Sequence, residues 1–145
     1  MRSFVLVLLL LVIFENVNAA CIKSFDEVVE QQLTALDNRD LEVYMSTIPS
    51  RDEQLVILPD GSTWETREGI EKGHAEWFKD KSWVFTRQQL SKHVSEHWGI
   101  VVYKVSVDRP ESPGSPFILS MMFAPEGDGC WYLQHDQNTL LSNKK

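Results

Sequence analysis

The chain has 145 residues, a formal net charge of −7 at pH 7, and hydrophobic residues at 43% of its positions. That length suits a single domain with a sizeable core. The acidic charge, without any basic cluster, argues against binding to nucleic acids or to anionic membrane surfaces.

The first twenty residues resemble a signal peptide. Arg2 supplies a positive charge, and the apolar run from Phe4 to Phe14 is too short to span a membrane. Small residues around Asn18 favour cleavage after Ala19. We therefore predict a signal peptide over residues 1–20, a mature domain over residues 21–145, and a secreted or extracytoplasmic protein.

The chain has two cysteines, Cys21 and Cys130. In an oxidising compartment they could form a disulfide, but two cysteines do not make a disulfide-rich scaffold. Cys21 follows two alanines, so lipidation of Cys21 is the alternative, and a membrane anchor is expected only in that case. No zinc-ligand spacing is present, and we predict neither a metal site nor a cofactor.

Two helices are predicted first. Ser24 and Glu27 form a capping box, and the apolar positions that follow recur at helical spacing as far as Leu36. Asp40 is the predicted cap of a second helix that runs from Leu41 to about Ile48.

The stretch from Leu58 to Phe78 predicts a hairpin that leads into a third helix. The turn Pro59-Asp60-Gly61 follows a strand over Glu53–Leu58 and precedes a short strand over Ser62–Glu65. Thr66 is the predicted N-cap. In the helix, His74 shares an apolar face with Ile70, Trp77 and Phe78.

Four more strands are predicted, over Trp83–Ser95, Ile100–Asp108, Phe117–Ala124 and Cys130–Asn138. In the last one, strict alternation places Trp131, Leu133 and His135 on the inner face. Asp136 is then expected to face outward or to lie at the rim.

The pattern PDG…W…REGIE…WF between Pro59 and Phe78 and the closing strand that begins Gly129-Cys130-Trp131 resemble the SnoaL-like and ketosteroid-isomerase-like proteins of the NTF2-like superfamily. The resemblance covers roughly Ser24 to Thr139. It implies an α+β, cystatin-like cone, in which about three N-terminal helices pack into a strongly curved, mostly antiparallel sheet. It does not fix a function, because this fold carries several.

The mouth of such a cone is a ready site for a small molecule. His74 and His135 are the candidate catalytic bases. The relatives that act on ketosteroids or polyketides use a buried carboxylate, and we find none on the predicted inner faces. The predicted ligand-binding residues are Tyr44, Trp64, His74, Trp77, Tyr103, Met121 and His135.

Three functions are therefore open. We prefer the binding of a small apolar ligand to enzyme chemistry of the isomerase, cyclase or dehydratase type on a carbonyl-bearing molecule. The third is a dimerisation or assembly module without a ligand. We also expect a homodimer, because Ile118, Met122 and Ala124 form an apolar outward face on one strand.

Overall fold

A computed structural model describes residues 21–141, so the predicted signal peptide lies outside the described residues. The prediction of an α+β chain with three N-terminal helices is confirmed. The elements, in chain order, are α1 (Phe25–Asn38), α2 (Leu41–Ser46), β1 (Glu53–Ile57), β2 (Thr63–Thr66), α3 (Arg67–Trp77), β3 (Val84–Val94), β4 (Gly99–Asp108), β5 (Phe117–Pro125) and β6 (Trp131–Leu140).

Each helix begins at a side-chain cap. Ser24 accepts a hydrogen bond from the backbone N–H of Glu27, Asp40 caps α2, and Thr66 accepts from the N–H of Gly69. All three caps were predicted from the sequence, because short polar side chains can satisfy the free N–H groups of a first turn. Helix α2 ends at Ser46, two residues earlier than expected.

The six strands form one sheet in the order β2-β1-β6-β5-β4-β3. Every neighbouring pair is antiparallel except β1 and β6, which run parallel. The helices cover the inner face of this curved sheet, and apolar side chains from both layers form one core. The last strand, β6, therefore lies near the middle of the sheet, between β1 and β5.

A β-bulge interrupts β6. Leu133 lies opposite Phe123 and His135 lies opposite Met122, which leaves Gln134 without a partner on β5. One extra residue reverses the inward and outward alternation beyond it. His135 consequently shares the outer face with Met122, and the prediction that His135 points inward is wrong.

The same bulge places Asp136 on the inner face. Asp136 pairs with Met121, and the two residues are only 7% and 1% exposed. The prediction that Asp136 faces outward or lies at the rim is therefore wrong. The sequence pattern failed here because it assumed an unbroken strand.

The two cysteines form a disulfide, Cys21–Cys130, with the Cα atoms 5.4 Å apart. Next to it, the Trp131 N–H donates to the Ile22 carbonyl at 2.8 Å. These two links fasten the start of the described chain to the start of β6. None of the helices within residues 21–141 is long and apolar enough to cross a membrane.

Candidate functional site

A cavity of about 550 Å³ lies between the helices and the inner face of the sheet. Its walls are largely apolar and contain several aromatic rings. The apolar lining residues are Leu33, Leu36, Val56, Leu58, Pro59, Trp64, Trp77, Phe85, Val107, Phe117, Leu119, Met121 and Leu140.

The polar lining residues fall into two groups. Asp60, Arg109 and Ser115 are exposed and mark the mouth. The side chains away from the mouth are buried or half-buried; they are Gln32, Tyr44, His74, Asp136 and Asn138.

Asp136 is the buried carboxylate of the cavity. One of its oxygens accepts a hydrogen bond from the Asn138 amide at 2.9 Å, and the same amide nitrogen donates to the Ile57 carbonyl at 2.8 Å. Burial raises the pKa of Asp136 to about 7, against the smaller opposing effect of the Asn138 hydrogen bond. A carboxylate with this pKa can both take up and release a proton near neutral pH.

Tyr44 also lines the cavity. It is 1% exposed, and its hydroxyl lies 3.4 Å from the Gln32 side-chain amide. Burial and then the charge of Asp136 raise the pKa of Tyr44 well above its ordinary value. The phenol therefore stays protonated and keeps a hydrogen to donate.

His74 packs against Tyr44, with ring centroids 4.1 Å apart. Its Nδ1 lies 2.9 Å from the carbonyl oxygen of Ile70, one helical turn earlier. Burial lowers the pKa of His74 to about 4, so the imidazole is neutral at pH 7. His74 therefore has a structural hydrogen bond and also borders the cavity.

Trp64 reaches the cavity because α3 has a glycine beneath its ring. A Cβ atom at Gly73 would lie 2.2 Å from the Trp64 Cζ2 atom, so no larger residue fits without movement. The Trp64 ring also meets His74 edge-on, with centroids 5.1 Å apart. Gly73 thus lets an aromatic side chain from β2 close one wall of the cavity.

Five of the seven predicted ligand-binding residues border the cavity. Tyr103 is buried in the core but does not line the cavity, and His135 faces the other side of the sheet. The five are Tyr44, Trp64, His74, Trp77 and Met121.

Apart from the exposed residues at the mouth, sequence reasoning missed three polar residues of the site, Gln32, Asp136 and Asn138. Gln32 lies on the buried face of α1, where helical spacing by itself predicts packing rather than ligand contact. For Asp136 and Asn138, a bulge carries no marker in the sequence, so their direction could not be deduced. Within residues 21–141, no group of three or more His, Cys, Asp or Glu side chains is placed to hold a metal ion.

No protein-family model matches this sequence, and no curated protein matches it. Solved structures do match. A proposed calcium/calmodulin-dependent protein kinase type II association domain from Thiobacillus denitrificans superposes with a TM-score of 0.73 at 13% identity, over 84% of this chain and 98% of that one.

Two further solved structures have a similar fold. An NTF2-like protein of unknown function from Shewanella oneidensis has a TM-score of 0.65 and 14% identity, over 79% of this chain and 94% of that one. A proposed ketosteroid isomerase from Shewanella frigidimarina has a TM-score of 0.67 and 13% identity, over 78% of this chain and 92% of that one. Likeness at such low identity concerns the fold alone. The helix and strand order, the cavity between helices and sheet, and these superpositions together place the chain in the NTF2-like fold.

Proposed function

We propose that this protein binds a small, largely apolar molecule inside the cone. The observation that carries the proposal is the cavity of about 550 Å³, with apolar walls and a few buried polar groups. Small-molecule sites have this composition, since apolar walls supply affinity and a few polar groups fix orientation.

A fluorescent probe tests this function. N-phenyl-1-naphthylamine emits more strongly in apolar surroundings, and we expect saturable binding of one probe per chain. Leu119→Trp fills the cavity and should abolish binding. Met122→Trp puts the same side chain on the outer face of the same strand and should leave binding intact. Equal binding by both variants, or none by the unaltered protein, would contradict the proposal.

A second candidate function is proton transfer on the bound molecule. It is favoured by Asp136, whose pKa of about 7 suits a general base at neutral pH. Asp136 would remove a proton from a carbon next to a carbonyl group. The electron pair of the broken C–H bond would form a carbon–carbon double bond, and the π electrons of the carbonyl group would move to its oxygen. The Tyr44 hydroxyl would donate a hydrogen bond to that oxygen.

Hydrogen exchange separates catalysis from simple binding. In D₂O, a catalytic Asp136 should accelerate exchange of the α-hydrogens of an apolar ketone such as 2-tetralone, as followed by NMR. Asp136→Asn should reduce the enzyme-dependent rate by about 10²-fold or more. His135→Asn, a neighbouring change on the outer face, should not. Exchange that proceeds equally with all three proteins would leave only the binding function.

We further propose that the protein acts outside the cytoplasm. The Cys21–Cys130 disulfide supports this location, because disulfides persist in oxidising compartments. Binding and self-association are compatible, since the cavity opens on the inner side of the sheet and the predicted dimer face lies on the outer side.

A further inference from the structure

His74 has a fixed tautomer. Its Nδ1 lies 2.9 Å from the Ile70 carbonyl oxygen, and a carbonyl oxygen can only accept a hydrogen bond. Nδ1 therefore carries the ring hydrogen. Because the buried ring is neutral, the other nitrogen, Nε2, has a lone pair and can only accept.

Nε2 has no hydrogen-bond partner within residues 21–141, although every fully buried side-chain nitrogen or oxygen in that part of the chain has one. Nε2 is therefore accessible, and His74 borders the cavity. The second oxygen of Asp136, Oδ2, also lacks a hydrogen-bond partner among the described residues, because only Oδ1 accepts from Asn138. The inner part of the cavity thus presents two acceptors without partners, in addition to the Tyr44 hydroxyl, which accepts from Gln32 and has a hydrogen to donate.

The surroundings of these acceptors do not favour a negatively charged ligand group. The rings of Tyr44, Trp64 and Trp77 surround His74, with centroids between 4.1 and 6.0 Å away. Among the described lining residues, the one Arg or Lys side chain is Arg109. It lies at the exposed mouth and is paired with Asp80 at 3.1 Å.

We infer that the cavity selects molecules that carry a hydrogen-bond donor, a hydroxyl or amine N–H, on an apolar skeleton, and that His74 Nε2 accepts this bond. The inference rests on the proposed binding function and names its ligand class. A molecule without a donor would remove water from Nε2 and leave it without a partner, which weakens binding. An anionic group would in addition be repelled by Asp136.

A series of naphthalenes tests this selectivity by isothermal titration calorimetry at pH 8. The donors are 2-naphthol and 2-(aminomethyl)naphthalene, which distinguish a hydroxyl from an amine. The controls are naphthalene, 2-methoxynaphthalene with an acceptor only, and the anion 2-naphthoate. We expect 2-naphthol to bind about tenfold more tightly than 2-methoxynaphthalene, and 2-naphthoate to bind most weakly.

Variants assign the effect to His74. His74→Phe should remove the preference for 2-naphthol and let naphthalene bind more tightly, because no Nε2 then loses its water. His135→Phe, on the outer face, should retain the preference. The series with the unaltered protein decides the question even if His74→Phe fails to fold.

The contradicting outcomes are distinct. Equal affinities for naphthalene, 2-naphthol and 2-naphthoate would overturn the donor inference and leave the binding function standing. No binding by any compound would overturn the binding function itself. A preference for the amine alone that persists in His74→Phe and is lost in Asp136→Asn would overturn the role of His74.

Discussion

Asp136 on β6 lies directly opposite Met121 on β5, and both side chains border the cavity. A carboxylate thus occupies a place in the sheet where its neighbours are apolar. This arrangement makes Asp136 the most informative residue to change.

Asp136→Asn should alter how stability depends on pH. The pKa of Asp136 rises from 3.8 to about 7 on folding, so the folded state holds this proton more tightly than the unfolded state does. Asp136 therefore makes the protein less stable as the pH rises from about 4 to 7, by at most about 1.4 kcal/mol per pH unit. The stability gained in Asp136→Asn should be small at pH 4, grow up to pH 7 and stay constant above it.

Urea unfolding of both proteins across this pH range measures the difference. The other titratable groups that line the cavity are Tyr44, Asp60, His74 and Arg109. Both proteins contain these four groups, so their contributions cancel in the difference between the two free energies of unfolding. A stability difference that does not vary with pH would contradict the raised pKa.

His74→Phe should show the opposite dependence. The pKa of His74 falls from 6.5 to about 4 on folding, so the unfolded state binds this proton more tightly. His74 therefore destabilises the protein as the pH falls from about 6.5 towards 4. The stability of the variant relative to the unaltered protein should be highest near pH 4. The same urea measurement tests this. His93→Phe makes the same substitution at an exposed position and is the control.

Gly73→Ala should reshape the cavity. The new methyl group would lie 2.2 Å from the Trp64 ring, so the indole must move, at a cost of about 1–3 kcal/mol in the free energy of unfolding. Gly69→Ala in the same helix meets its nearest neighbour at 3.2 Å and should cost less. Thermal melts and the naphthylamine titration compare the two, and equal losses of stability would show that Trp64 is not held against Gly73.

The outer face of the sheet should form a homodimer. Met122 is 36% exposed there, opposite Ile100 on β4, and such an apolar face favours a second copy of the chain. Light scattering at micromolar concentration should give about twice the chain mass. Met122→Glu should reduce the measured mass to that of one chain. Trp98→Ser, in the β3–β4 turn, should leave the dimer mass unchanged. A monomer at every concentration would rule this prediction out.

Processing and disulfide formation can be measured together. Protein from a secreting host should begin at Ala20 or Cys21, and its mass should rise by about two hydrogens on reduction, because Cys21 and Cys130 are joined. The sulfur of Cys21 cannot carry both this bond and a lipid. An intact Met1 in the exported fraction, or a lipid-sized mass on Cys21, would refute this prediction.

Local sequence patterns predicted the three helices and the six strands. Caps such as Ser24 and Thr66 and the helical stripe that contains His74 depend on neighbours within a few residues, which a single sequence contains. The position of His74 on an apolar helical stripe is such a local property, and the structure confirms that His74 is buried.

Which polar group of β6 enters the cavity depends instead on long-range contacts. The bulge at Gln134 depends on distant parts of the chain: the Leu133 N–H donates to the Thr47 carbonyl at 2.8 Å, and the Gln134 side chain contacts Arg51. Those contacts join residues more than eighty positions apart, and no local pattern encodes them. One extra residue between Leu133 and His135 turns the histidine outward and Asp136 inward, because side chains alternate along a strand with a period of two.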